Sequence, residues 1–208
     1  KLRYYDEYVK SGEYVKSPCF THFDKVFNEL SGKTWGIAGL GSIGRRVADV
    51  AKAFGCRVVY FSASGHTYET EFKRVSFDEL LENSDIISIH APLNDKTNNL
   101  FDDAAFAKMK KNAVLLNLGR GPIVNNAALT KALKENIIAG AGLDVIDKEP
   151  IAADNPLLEI QDSSKLIITP HIAWATYEAR VRLMDEVYEN LEDGQNQILK
   201  NKDTIKNT

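Results

Sequence analysis

The chain has 208 residues, 44% of them hydrophobic and 26% charged, with a formal net charge of −3; it can bury a real core, and it is too apolar and too nearly neutral for intrinsic disorder. Its 26 basic residues face 29 acidic ones, which argues against a nucleic-acid binder working by bulk charge, and no apolar run approaches the roughly 18 residues needed to span a bilayer. The two cysteines, Cys19 and Cys56, make neither a disulfide framework nor a four-ligand zinc site, so no metal is expected and a reducing, cytoplasmic compartment is the simplest expectation.

The chain opens at Lys1 without Met, apolar signal core or cleavage site, and is expected to be a piece of a longer one. Residues 1–30 read as an arm. Tyr4, Tyr5, Tyr8 and Tyr14 lie among lysines, with Ser17-Pro18 as a breaker. A short helix over 3–10 and an extended polar-aromatic segment are expected. Such an arm packs on its own domain or on a second copy of it.

From Lys33 the pattern alternates between short apolar runs and helical stretches. Thr34–Leu40 reads as a strand and Ser42–Phe54 as a helix with Ile43, Val47, Val50, Ala51 and Phe54 on one face. Strands follow at Arg57–Ser62, Ile86–His90, Ala113–Leu118, Ile138–Asp144 and Leu166–Thr169. Helices are expected at Phe77–Glu82, Asp102–Lys108 and Asn126–Lys134. Thr176 caps a long last helix with Leu183, Val187 and Leu191 on one stripe. The strands lack polar alternation, as strands covered on both faces do. The expected fold is therefore α/β, a doubly wound, Rossmann-like parallel sheet with helices on both faces, preceded by the arm. Residues 31–199 form this domain, and 200–208 a polar, frayed tail.

Gly39-Leu40-Gly41-Ser42-Ile43-Gly44 matches G-x-G-x-x-G. Alone that pattern is weak, but here it leaves a strand and opens a helix, as dinucleotide binding requires. Gly39 allows the tight turn, Gly41 admits a pyrophosphate, and Gly44 lets helix pack on strand. The free N–H groups of the first helical turn then face the anion. An acidic residue should end the second strand and hold the ribose hydroxyls of NAD, yet Ser62 stands there and the next carboxylate is Glu69. Ser64 and His66 are near, and Ser64-Gly65 offers a backbone nest for an anion. No Arg stands in this stretch to welcome the extra phosphate of NADP, so both cofactors stay open, with NAD favoured.

Arg120, Glu149 and His171 stand beside glycine or proline at strand ends, with Asp144 near them. In an open parallel sheet, ligands bind outside the carboxyl ends of the strands. An Arg can bind the carboxylate of a 2-keto acid through two hydrogen bonds and polarise its carbonyl. A His can protonate the forming alkoxide. A carboxylate beside it fixes its tautomer and favours its cation. Taken singly, each residue also has a bland reading as a surface turn, a packed histidine or an exposed loop; their order behind a glycine loop is the more specific signal.

The sequence resembles the D-isomer-specific 2-hydroxyacid dehydrogenase family. The matching stretches are Gly39–Gly44, His90-Ala91-Pro92-Leu93 with Thr97, Leu116–Gly121, Gly142–Pro150 and Thr169–Trp174. The His171–Thr176 run is most similar to glycerate dehydrogenase (hydroxypyruvate reductase) members. The resemblance implies that Arg120 orients substrate, Glu149 supports the histidine and His171 is the acid–base. It gives Asp144 the nicotinamide carboxamide and gives Ser42 and Ile43 the pyrophosphate, with Arg45 nearby. It adds Ser62, His90, Ala91, Pro92, Thr97, Asn117, Leu118, Gly119 and Ala173 as cofactor contacts. It further implies a homodimer built through the arm and cofactor domain, and a small 2-keto or 2-hydroxy acid substrate, hydroxypyruvate or D-glycerate first. No nucleic acid or membrane is expected as a partner. The family's N-terminal substrate domain, about 100 residues in size, is not in this sequence. Formate dehydrogenases pair the histidine with Gln, which Glu149 disfavours. The competing reading from another class is a dinucleotide-sensing, corepressor-like module without turnover; a generic Rossmann domain such as a methyltransferase fits the Arg–Glu–His order poorly.

Overall fold

The computed structural model describes residues 1–206, with side chains through residue 195. The chain divides into two compact units, one spanning Lys1–Ile168 and a second that starts at Thr169.

The first unit holds a seven-stranded parallel sheet. In chain order the strands are β1 (Thr34–Ala38), β2 (Arg57–Phe61), β3 (Lys73–Arg74), β4 (Ile86–Ile89), β5 (Val114–Asn117), β6 (Gly140–Leu143) and β7 (Leu166–Ile168). In space they run β3-β2-β1-β4-β5-β6-β7. The chain leaves β1 toward one edge, then returns to its other side at β4. That reversal opens the crevice in which such sheets bind ligands.

Helices α1 (Leu2–Lys10), α2 (Ser42–Ala53), α3 (Phe77–Asn83), α4 (Asp103–Lys108) and α5 (Asn126–Lys134) complete this unit. Three begin at side-chain caps. Ser76 and Glu79 form a reciprocal capping box, Asp102 accepts from the Ala105 N–H at 2.9 Å, and Asn125 from that of Ala128 at 2.9 Å. Each cap is worth about 1 kcal/mol. Two apolar cores flank the sheet. The larger gathers Ile87, Ile89, Leu115, Phe106, Leu129 and Leu133 from β4, β5 and α4–α5. The smaller joins Ile37, Val58 and Tyr60 to Ala48 and Ala51 of α2. In the second unit, Thr176 accepts from the Ala179 N–H at 3.2 Å and α6 runs from Tyr177 to Lys206.

Four expectations need correction. The side of α2 that is buried is Gly44, Ala48 and Ala51, while Ile43, Val50 and Phe54 are more than half exposed; small residues let the helix lie close to the sheet. β5 and β7 are not buried on both sides, since exposure alternates along β5 and Ile167 is 54% exposed. β3 was not expected, because two polar residues carry no apolar signal; only pairing of Val59 with Lys73 and Tyr60 with Arg74 defines it. Finally, α6 continues through the segment expected to fray as far as Lys206, and the remainder of that tail, 207–208, lies outside the described residues.

Candidate cofactor-binding site

β1 is followed by Gly39, whose φ of +101° is one that L side chains rarely adopt. A Cβ there would stand 2.6 Å from the Ala91 nitrogen, so the turn after β1 lies directly on the loop after β4. Gly41 is the N-cap of α2, and a Cβ added to it would meet nothing within 4 Å. A Cβ on Gly44 would stand 2.1 Å from the Gly39 carbonyl oxygen. The three glycines thus do three jobs: a left-handed turn, an open approach and a close helix–strand contact. The first N–H groups of a helix have no intrahelical acceptor, so Ser42, Ile43 and Gly44 present donors and the positive end of the dipole below the space over Gly41. A dinucleotide's pyrophosphate fits this cradle.

The turn after β2 lies beside it, held by the Gly39 N–H donating to the Phe61 carbonyl at 3.0 Å. Ser62 is buried, with its Oγ 3.1 Å from the Ser64 Oγ. The stretch itself holds no arginine, as expected, but one approaches it from β3. Arg74 on β3 donates from Nη1 to the Thr67 hydroxyl at 2.8 Å, and its Nη2 lies 3.9 Å from where a Gly65 Cβ would stand. Strand pairing brings it back to the turn from a few residues further along the chain. Arg45 of α2 lies over the Tyr68 ring, 4.7 Å from its centroid.

After β4, His90 Nε2 lies 3.1 Å from the Ser88 hydroxyl, while its buried Nδ1 has no partner among the described residues. Burial lowers the pKa of its ring and so favours the neutral imidazole. Thr97 is fully buried, and its hydroxyl donates to the Pro92 carbonyl at 2.7 Å and accepts from the Asn94 N–H at 2.9 Å. That hydroxyl is occupied in closing the Ala91–Thr97 loop.

After β5, buried Asn117 clamps its own turn, donating to the Arg120 carbonyl and accepting from the Gly119 N–H, both at 3.1 Å. A Cβ on Gly119 would meet the Ala91 carbonyl oxygen at 3.1 Å, and one on Gly121 would overlap the Ile146 carbonyl at 1.8 Å. The loops after β4, β5 and β6 are therefore in backbone contact. Arg120 Nη1 donates to the Gly119 carbonyl at 2.8 Å. Leu118 is 42% exposed. After β6, Asp144 is buried and its N–H donates to the Asn117 carbonyl at 2.9 Å. Glu149 Oε1 accepts from the Ile146 N–H at 3.1 Å.

His171 and Ala173 belong to the second unit. His171 has a φ of +54°, an uncommon conformation for a residue with a Cβ. Its N–H donates to the Thr169 carbonyl at 2.9 Å and its own carbonyl accepts from Trp174 Nε1 at 3.0 Å.

The first unit thus gathers Gly39–Gly44, Ser62, His90–Pro92, Asn117–Arg120, Asp144 and Glu149 on the segments at or directly after the ends of β1, β2, β4, β5 and β6, with Ser42–Gly44 in the first turn of α2. Arg74 is the nearby residue that sequence reasoning missed, because the two polar residues of β3 carry no apolar signal and only their pairing with β2 brings it to the turn.

The profile described as "D-isomer specific 2-hydroxyacid dehydrogenase, NAD binding domain" matches residues 1–173. A glyoxylate reductase of Aeropyrum pernix is 43% identical over 190 residues, covering 89% of this chain and 56% of that protein. A hydroxypyruvate reductase of Blautia hydrogenotrophica is 40% identical over 192 residues, covering 91% and 59%. Among solved structures, D-lactate dehydrogenase from Aquifex aeolicus, complexed with NAD and lactic acid, superposes with a TM-score of 0.78 at 30% identity, covering 92% of this chain and 62% of that one. The chain therefore spans little more than half the length of the curated relatives it matches.

Proposed function

Because the chain belongs to the D-isomer-specific 2-hydroxyacid dehydrogenase family, we propose that it is the dinucleotide-binding part of an oxidoreductase that moves a hydride between NAD(P)H and a small 2-keto acid, giving the D-2-hydroxy acid. Hydroxypyruvate and D-glycerate are the favoured pair, supported by the relative named hydroxypyruvate reductase. The observation that carries the reading is the glycine cradle, open over Gly41 and closed under Gly44, at the point where the strand order reverses.

Nicotinamide, when bound, supplies or takes the hydride. In this reading Arg120 holds the substrate carboxylate and polarises the adjacent carbonyl. His171 gives a proton to the carbonyl oxygen as it becomes a hydroxyl, and takes it back in the reverse direction. Glu149 orients the histidine and favours its cation. Asp144 accepts from the nicotinamide carboxamide, with Ala173 and Asn117–Gly119 as further cofactor contacts.

The same proposal makes residues 31–199 the cofactor domain and residues 1–30 a dimer arm, with the substrate domain outside this sequence. It places the protein in the cytoplasm with neither nucleic acid nor membrane as partner; no described helix is long and apolar enough to cross a membrane.

The test is turnover by the full-length protein. His171→Ala is expected to lower kcat for hydroxypyruvate by about 10²–10⁴, the range for a lost general acid–base. Unchanged turnover removes His171 from the chemistry. Dinucleotide binding by the wild type with no turnover on a panel of 2-keto acids returns the sensing-module reading.

A further inference from the structure

We propose that this chain selects NADPH over NADH, and that Arg74 of β3 makes the selection by meeting the 2′-phosphate on the adenosine ribose over the Ser62–Gly65 turn. The inference rests on the dinucleotide-binding function proposed above and goes beyond it in naming the cofactor and the residue that chooses it.

The turn is built to receive an anion. A carboxylate in place of Ser62 would repel a 2′-phosphate, and the stretch from Ser62 to Tyr68 contains none. Instead Ser62 and Ser64 bring two hydroxyls within 3.1 Å of each other. The Gly65 N–H donates to the Ser62 carbonyl at 3.1 Å, and the His66 N–H to the Ser64 hydroxyl at 3.3 Å. These bonds close a tight turn around the hydroxyl pair. Gly65 has a φ of +80°, where glycine is favoured because it has no Cβ to clash.

Among the described residues beyond its two chain neighbours, Arg74 alone would come within 4 Å of a Gly65 Cβ, and then at 3.9 Å. The glycine thus leaves an unfilled approach between the turn and a guanidinium. Thr67 fixes the orientation of that guanidinium by accepting from Nη1, and the pairing of Tyr60 with Arg74 fixes its backbone. A planar, permanently charged guanidinium with several donors suits a phosphate better than any other side chain. Arg45, over Tyr68, adds a second positive charge on the α2 side. Of the two carboxylates that follow, Glu69 and Glu71, Glu71 is paired with Lys52 at 2.5 Å.

A purely structural reading is that Arg74 only braces the turn through Thr67. Arg74→Gln separates the two, because glutamine keeps a donor for Thr67 and loses the charge. The experiment is calorimetric titration of the full-length protein with NADPH and with NADH, for the wild type, Arg74→Gln and Ser62→Asp, with thermal melts as a check on folding. The wild type is expected to bind NADPH at least about tenfold more tightly, as one charge-assisted contact provides. Arg74→Gln is expected to shrink that ratio by about tenfold, and Ser62→Asp to invert it. Equal wild-type affinities, or an unchanged ratio in a folded Arg74→Gln protein, overturn the inference while the dinucleotide-binding function stands. Failure of the wild type to bind either dinucleotide overturns both.

Discussion

Gly41 and Gly44 lie one helical turn apart and respond oppositely to an added side chain. A Cβ on Gly44 would collide with the Gly39 carbonyl oxygen, whereas one on Gly41 would reach empty space. Gly44→Ala is expected to lower stability by about 1–3 kcal/mol, as overpacking does, and thermal denaturation should show it. Gly41→Val is expected to melt like the wild type yet lose dinucleotide binding in calorimetry, because the valine fills the approach to the helix N-terminus. Normal affinity in Gly41→Val would refute the cradle. The roles of these glycines were legible in sequence because the spacing itself encodes them. Arg74 was not legible. Its contact with the turn after β2 depends on a strand of two polar residues pairing at the sheet edge, and no local pattern announces that.

Asp85 works at the scale of whole elements. Its carboxylate accepts from the Thr34 N–H at 2.9 Å, from Lys110 Nζ at 3.1 Å and from Asn112 Nδ2 at 3.2 Å, so it ties the entry of β1 to the loop leading into β5. Partial burial pushes its pKa up, but these hydrogen bonds and the Lys110 charge outweigh burial and hold it below the ordinary carboxylate value. A carboxyl whose pKa is lowered by folding stabilises the fold fully above its unfolded pKa and loses that contribution as pH falls through the folded one. Asp85→Asn is therefore expected to cost about 1–3 kcal/mol near neutrality, and to lose less further stability than the wild type on acidification below the ordinary range. Urea titrations at neutral and acid pH would check both; identical acid limbs would remove Asp85 from the account. At this scale Thr176 was readable as a cap because it acts within one turn; Ser76, Asp102 and Asn125 cap their helices in the same local way, although Asp102 was read as the first helical residue. The amphipathic stripe of α2 held at Ala51 and Val47 but misled at Ile43, Val50 and Phe54, because the sheet accepts the small side of the helix, Gly44, Ala48 and Ala51.

For the molecule as a whole, the large apolar side chains of Ile43, Val50 and Phe54, with Phe20, Phe23 and Phe27 of the arm, are more than half exposed, and apolar surface of this kind is what a second copy would cover. This supports the proposed homodimer, and sedimentation velocity of the full-length protein is expected to give a dimer; a monomer at micromolar concentration would remove the proposal. The doubly wound parallel sheet was legible because six of its seven strands were marked by short apolar stretches alternating with helical ones. That arrangement also put Arg120 and Glu149 on loops after β5 and β6, as their positions beside glycine and proline suggested.

The sequence contains only two tryptophans, and each unit holds one. Trp35 on β1 donates to Ser88 at 2.9 Å, while Trp174 donates to the carbonyl of His171 at 3.0 Å. The protein is thereby supplied with a pair of native fluorophores at separate addresses. Replacing Trp174 by Phe leaves emission that reports the sheet beneath the dinucleotide cradle. Replacing Trp35 by Phe leaves emission that reports the backbone turn carrying the imidazole, so the two regions can be watched independently during unfolding or on addition of cofactor.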